Sequence, residues 1–423
     1  MLSSRHRLQT ALAHQDGPVP VDFGATPTSG IHVSVVAALR ERLGLNPGPV
    51  KVVEPYQMLG EVADDLKVAL GIDVAGVSPP ATLFGFTNKD WQLWRAPWGQ
   101  EVLVPGGFVT STEPNGDILI YPQSDRQAPP SGRIPASGYF ADTIVRQPPI
   151  DESRMNPQDN LEEFVPLGAD VIDYYRLEVE RVARSGRGVV VNFGGTALGD
   201  IALVPAPFLK HPKGIRDIEE WYVSTVARPE YVHAVFAQQT VIALANLDRI
   251  RAGLGPLVGA IDAVFVCGTD FGTQTGTFCA PDTFRALWLP YYRQITGWIH
   301  AHTPWKCFKH SCGAIAEFMP LFIDAGMDIE NPVQCSASGM EAAGLKRRFG
   351  QQIVFWGGGV DTQRVLPFGT PDEVRAQVLE RCRIFAPGGG FVFNAIHNVQ
   401  ARTPAANVLS MFDAVRDYNQ ERT

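Results

Sequence analysis

The sequence predicts an α/β fold, a (β/α)8 TIM barrel carrying an inserted, β-hairpin-rich excursion. Three observations predict it. Short apolar runs alternate with helical patterns, the runs number eight, and most of them end in polar or glycine-rich text. The runs cover residues 19–23, 73–77, 188–193, 261–266, 305–308, 327–329, 353–356 and 390–394. Each is bounded by Gly, Pro, Asp or Asn, as a buried strand is. Helical patterns between them include 33–43, 56–70, 218–227, 231–252, 281–301, 313–325 and 372–385. Strand and helix in alternation form a parallel sheet, and eight repeats close it into a barrel.

The second and third runs are separated by text of another kind. Residues 80–150 are aromatic and rich in Pro and Gly, and Asn115-Gly116 between alternating residues signals a hairpin. This stretch reads as a β-rich excursion over the barrel mouth, within a single domain spanning 1–423. Its tryptophans, Trp91, Trp94 and Trp98, either wall a pocket or pack the insertion onto the barrel, and packing is the expectation for at least two.

Composition narrows the function classes. The net charge is −8, from 36 basic and 44 acidic side chains spread without long runs, so no basic stripe points to nucleic acid. No apolar stretch approaches the length of a membrane span. Residues 1–15, with Arg5, His6 and Arg7, read as an amphipathic helix and not as a secretory leader, which points to the cytoplasm. The cysteines, at 267, 279, 307, 312, 335 and 382, are too sparse for a disulfide framework.

Barrel enzymes place their chemistry at the C-terminal ends of the strands. Those ends carry Asp22, Asn192-Phe193-Gly194-Gly195, Asp270, His310, Asn331, Asp361 and His397. His310 and Cys312 stand two apart at the end of the fifth run, where strand alternation turns both to one face. An imidazole beside a thiolate suits Zn2+, and catalytic zinc takes about three protein ligands. His397 is the best third ligand, with Cys335, Glu330 and Asp270 in reserve. The competing reading makes His310 a hydrogen-bonded core histidine and Cys312 a packing residue. Asn331 and Gln334 flank a loop around Pro332, and their amides suit orientation of a substrate oxygen. Asp270 serves either as a general acid/base or as a loop anchor. Asn192 and Gln274 complete the expected substrate contacts. Gly357-Gly358-Gly359 lacks phosphate-loop spacing and reads as close backbone packing.

From residue 305 onward the text resembles the uroporphyrinogen decarboxylase superfamily, especially its methyltransferase-like members. The resemblance is carried by His310-Ser311-Cys312-Gly313, by Asn331-Pro332-Val333-Gln334 and by residues 355–363. It continues through Leu366-Pro367-Phe368-Gly369-Thr370-Pro371 and Ala395-Ile396-His397-Asn398-Val399-Gln400. Weaker echoes occur at Pro18-Val19-Pro20-Val21-Asp22, at Tyr139-Phe140-Ala141-Asp142 and at Asp270-Phe271-Gly272-Thr273-Gln274.

The resemblance implies a (β/α)8 barrel and one of two chemistries. Decarboxylases of the family work without a cofactor and hold substrate carboxylates with N-terminal arginines. This chain has Pro20-Val21-Asp22-Phe23-Gly24 there and no such pair. The other branch resembles corrinoid-dependent methyltransferases, including demethylases of methoxylated compounds. In that branch His310 and Cys312 bind zinc, and the corrinoid sits on a separate partner protein. Its third ligand is a cysteine in the thiol-methylating enzymes, where this chain has His397. The resemblance also implies a homodimer, with a metal-independent decarboxylase as the alternative activity.

Overall fold

A computed structural model describes residues 3–422 of the chain. Seven strands form one parallel sheet in sequence order: Val74–Val77, Gly188–Val191, Ala263–Cys267, Lys306–His310, Ile329–Asn331, Val354–Trp356 and Phe391–Val392. They correspond to the second through eighth apolar runs. The first run forms no strand. It bridges the two sheet edges instead: Val21 pairs with Phe393 on one side, and its carbonyl accepts from Asp73 N–H at 2.8 Å on the other. The architecture is TIM-like, with this short bridge joining the edges.

Alternation along the strands sorts the side chains into two cores. Val74, Val190, Ala263, Phe265, Phe308, Ile329, Val354, Trp356 and Val392 fill the interior. Residues between them face the surrounding helices and form the larger outer core. The helix Ser4–Leu12 adds Leu8, Ala11 and Leu12 to the inner cluster. Arg5 and Arg7 pair with Asp262 and Asp73, which stand at the starts of two strands. This helix therefore closes the end of the barrel opposite the strand C-termini. Met1 and Leu2, also expected to be helical, lie outside the described residues.

Helix ends follow local chemistry. Asp217 caps Ile218–Ala227, and Thr370 with Glu373 forms a capping box on Pro371–Phe385. Pattern 231–252 becomes a helix from Pro229 to Leu254. Three expected helices differ. Pattern 281–301 is split at Trp288, because Pro290 lacks an N–H and restricts the residue before it. In 56–70 only Asp64–Leu70 is helical; the Glu54 carboxylate takes the Tyr56 and Gln57 N–H groups, and Leu59–Gly60 pairs as a strand. In 313–325 the helix covers only Met319–Asp324, since the preceding backbone donors turn to other loops.

Between residues 92 and 143 lie two small antiparallel sheets. One pairs Gln92–Arg95 with Glu101–Val104, and the other joins four strands from Thr110 to Thr143. Trp94 meets Phe108 edge-on, and Trp98 stacks on Tyr139 beside His32. Lys51 lies over Trp91. No helix among the described residues is long and apolar enough to cross a membrane.

Candidate metal centre

His310 ends its strand facing the barrel interior, two residues after the inward Phe308. Its neighbour Lys309 consequently faces the helical layer. Cys312 lies beyond the strand, so alternation does not aim it. A turn does. Gly313 has φ of 92° and lies against Gly272, where a Cβ would stand 2.4 Å from a backbone carbon. The two loops are then laced together. Phe271 N–H donates to Ser311 Oγ at 3.0 Å, Cys312 N–H to Asp270 Oδ1 at 2.6 Å, and Ala314 N–H to the Thr273 carbonyl at 2.7 Å. Gln334 Oε1 accepts from Gly313 N–H at 2.8 Å.

His397 enters from the other side with φ of 74°, a left-handed conformation uncommon outside glycine. Its flanks hold it there. Ile396 N–H donates to the Val360 carbonyl, while Asn398 Oδ1 accepts from Gly30 N–H and Val399 N–H donates to the Gly30 carbonyl. Such strain persists only where the surroundings over-determine it.

The ligand atoms of His310, Cys312 and His397 all lie within 4.8 Å of one another. His310 Nε2 is 3.4 Å from Cys312 Sγ, and the two imidazole rings meet edge-on at 5.2 Å. For tetrahedral zinc, ordinary bond lengths put a nitrogen and a sulfur ligand about 3.6 Å apart. The donor set therefore fits zinc in both type and spacing.

Burial controls the charge of the group. It pulls His310 down to about 4 and His397 down to about 3, so both imidazoles are neutral near pH 7. It pushes the Cys312 thiol well above its usual range, and the Asp270 and Glu330 carboxyls push the same way. Without a metal this is an uncharged cluster and no place for a free thiolate nucleophile. Metal binding would have to release the thiol proton.

The other expected residues are placed as follows. Asp270 carries the Cys312 backbone, and burial raises its pKa. Asn331 is fully buried, with Oδ1 2.7 Å from His310 Nδ1 and Nδ2 donating to the Trp356 carbonyl at 2.8 Å. Gln334 is buried behind the Cys312 turn. Asn192 is half-buried at a strand end, its Oδ1 accepting from Gly194 N–H. Gln274 lies exposed on the loop bridged at Gly272 and Thr277. Among the reserve ligands, Glu330 pairs in register with Lys309 and points with it to the helical side. Cys335 is not in the close group, and burial pushes its thiol up to about 11. Gly357-Gly358-Gly359 packs tightly: added Cβ atoms would meet the Ala395 carbonyl, the Val333 carbonyl and the Phe393 ring at 3.0, 2.7 and 2.2 Å.

Two residues at the site escape the reading of the sequence. Thr28 donates to Asn331 Oδ1 at 3.2 Å from across the barrel. Lys309, fully buried, donates to the Thr269 and His310 carbonyls and ties the Asp270 loop to the His310 strand. A lysine inside an apolar strand was the only available hint.

Comparison with known proteins adds three findings. The family model described as uroporphyrinogen decarboxylase matches residues 209–418. A uroporphyrinogen decarboxylase of Coxiella burnetii is 22% identical over 202 residues, covering 45% of this chain. The match spans about half of that relative, 49% of its length. Among solved structures, a methyltransferase from Methanosarcina mazei superposes over 99% of both chains with a TM-score of 0.53 and 14% identity. That likeness establishes the shared fold.

Proposed function

The chain belongs to the uroporphyrinogen decarboxylase superfamily, and from that premise we propose that it is a zinc-dependent methyltransferase. It exchanges a methyl group between a small methylated or methoxylated compound and a corrinoid carried by a separate protein. The observation that carries this reading is the convergence of His310, Cys312 and His397 within 4.8 Å. The whole-length likeness to a protein named as a methyltransferase is consistent with it.

His310, Cys312 and His397 would hold the zinc. When bound, zinc supplies Lewis-acid stabilisation of the charge developing on the substrate heteroatom as the methyl group leaves. The protein residues then have distinct tasks. Asp270 fixes the Cys312 turn through its backbone N–H, and its carboxyl, raised by burial, can accept or return a proton near His397. Gln334 holds the Gly313 backbone in place. Asn192, through its amide nitrogen, and Gln274, from the rim, contact the substrate. The 80–150 excursion covers the mouth of a single 1–423 domain. Contact between Ala141 N–H and the Tyr56 carbonyl, and between His32 Nε2 and the Tyr139 carbonyl, supports that placement. Such an enzyme works in the cytoplasm, as a homodimer.

Zinc analysis with a corrinoid-coupled assay tests the reading. Wild-type protein should carry near-stoichiometric zinc and methylate a corrinoid protein from a methoxylated donor. The family match and the curated relatives favour one alternative, metal-independent decarboxylation with His397 and Asp270 moving protons. Turnover of a porphyrinogen by metal-free protein, with no methyl transfer, would establish that alternative and overturn the proposal.

A further inference from the structure

We infer that Asn331 is a positioning residue that fixes the tautomer of His310, so that Nε2 turns its lone pair toward Cys312 and His397. The inference deepens the zinc reading and rests on it for its purpose, but the orientation itself follows from hydrogen-bond chemistry alone.

The Trp356 carbonyl sets the orientation of the Asn331 amide. A main-chain carbonyl can only accept, and this one lies 2.8 Å from one end of the Asn331 amide. That end must therefore be the NH2 group, whichever way the amide might otherwise turn. The opposite end, the carbonyl oxygen, then faces His310 Nδ1 at 2.7 Å. Two acceptors do not sit at that distance, so Nδ1 carries the proton. A neutral imidazole has only one N–H, which leaves Nε2 bare. Nε2 is the atom 3.4 Å from Cys312 Sγ.

Thr28 secures the same oxygen from the far side of the barrel. Its hydroxyl donates to Asn331 Oδ1 at 3.2 Å and is itself 2.9 Å from Thr26 Oγ1. Asn331 is fully buried and His310 nearly so, so water offers no ready substitute for these bonds. An unrestrained imidazole would divide its proton between the two nitrogens. Each molecule with Nε2–H would present a proton where a metal needs a lone pair. Residues that orient ligating histidines in this way typically change metal affinity by about 10- to 100-fold when removed.

The test has two arms on the full chain. First, 15N-histidine labelling of metal-free protein reads the His310 tautomer by NMR, with the signal assigned by its loss in His310→Gln. Wild type should show Nδ1–H; an Nε2–H signal overturns the inference. Second, chelator competition measures zinc affinity in Asn331→Leu, Asn331→Asp and Thr28→Val. Asn331→Leu should mix the tautomers and weaken zinc binding by about 10- to 100-fold. Asn331→Asp should recover most of the affinity, because a neutral carboxylic acid can donate to Trp356 and accept from His310. Thr28→Val should have the smaller effect. A folded Asn331→Leu with unchanged tautomer and unchanged affinity overturns the inference, and if that variant does not fold, the wild-type tautomer decides. Wild-type protein that shows Nδ1–H but binds no zinc sustains the orientation and overturns only the metal reading.

Discussion

The strand Lys306–His310 carries a histidine–cysteine group at each end, and the two groups differ in what their lone pairs are doing. At its start His300, Cys307 and Asp328 offer ligand atoms within 4.8 Å of one another, as His310, Cys312 and His397 do at its end. At the start, Asp328 is already engaged. Its Oδ2 lies 2.7 Å from His300 Nε2 and accepts from Cys307 N–H at 2.8 Å, while the Lys306 ammonium stands 3.1 Å from Oδ1. A metal ion there would compete with the His300 ring, the Cys307 N–H and the Lys306 ammonium for the Asp328 carboxylate. At the far end the protein has arranged the reverse. Asn331 engages His310 Nδ1 and leaves Nε2 facing a thiol. Closeness of ligand types is common to both groups; at the far end the bare His310 nitrogen meets only a proton-bearing thiol of the same group, which a metal would replace.

The largest expected effect separates the two ends outright. Cys312→Ser should remove nearly all bound zinc, while His300→Ala should leave zinc content unchanged, as read by mass spectrometry on untagged protein. Zinc that followed His300 and ignored Cys312 would reverse the comparison and sink the assignment of the centre.

Next comes pH. Burial holds His310 at about 4 against an ordinary 6.5. Between those values the unfolded chain binds a proton that the metal-free folded protein excludes, so stability falls as the pH falls from 6.5 toward 4. The full window is worth about 3 kcal/mol for this one buried group. Asp328 behaves oppositely. Burial alone would raise it, but His300, the Cys307 N–H and Lys306 outweigh burial and hold it below 3.8. Its contribution therefore persists above 3.8 and disappears only as the pH drops through the lowered value. Urea denaturation of metal-free protein should show His310→Gln losing less stability than wild type between pH 6.5 and about 4. Equal losses would mean that His310 is not held neutral.

The smallest effect concerns Glu330, just behind the centre. It is buried, both carboxylate oxygens lack a partner among the described residues, and burial pushes it well above its ordinary value. If that rise leaves the carboxyl protonated at pH 7, Glu330→Gln should change stability by less than about 1 kcal/mol. A loss of several kcal/mol in the urea midpoint would instead reveal an ionised Glu330 paired electrostatically with Lys309.

How much of this was legible before folding depends on the residue. Seven apolar runs became the seven strands, because a strand buried on both faces must be apolar along its length. The 19–23 run, which holds Asp22 and a Pro20 with no N–H to pair, made one bridge. His310, Cys312 and His397 were legible as a group because barrel enzymes gather strand ends at one mouth. Strand alternation does not aim Cys312: the strand stops at His310, and the Gly313 turn against Gly272 directs the thiol. Asn331 and Gln334 were legible as amides of interest, but each is engaged within the protein.

By itself the sequence determined which segments must be buried, which ends are polar, and which ligand types the mouth can offer. Those properties are local, written in apolar period, in Gly and Pro, and in side-chain chemistry. Only the tertiary structure decided the protonation and aim of the ligands. Thr28 and Asn331 lie 303 residues apart, and Asn331 and Trp356 lie 25 apart. Whether an amide faces a histidine or a substrate is set by partners that folding alone brings within about 3 Å.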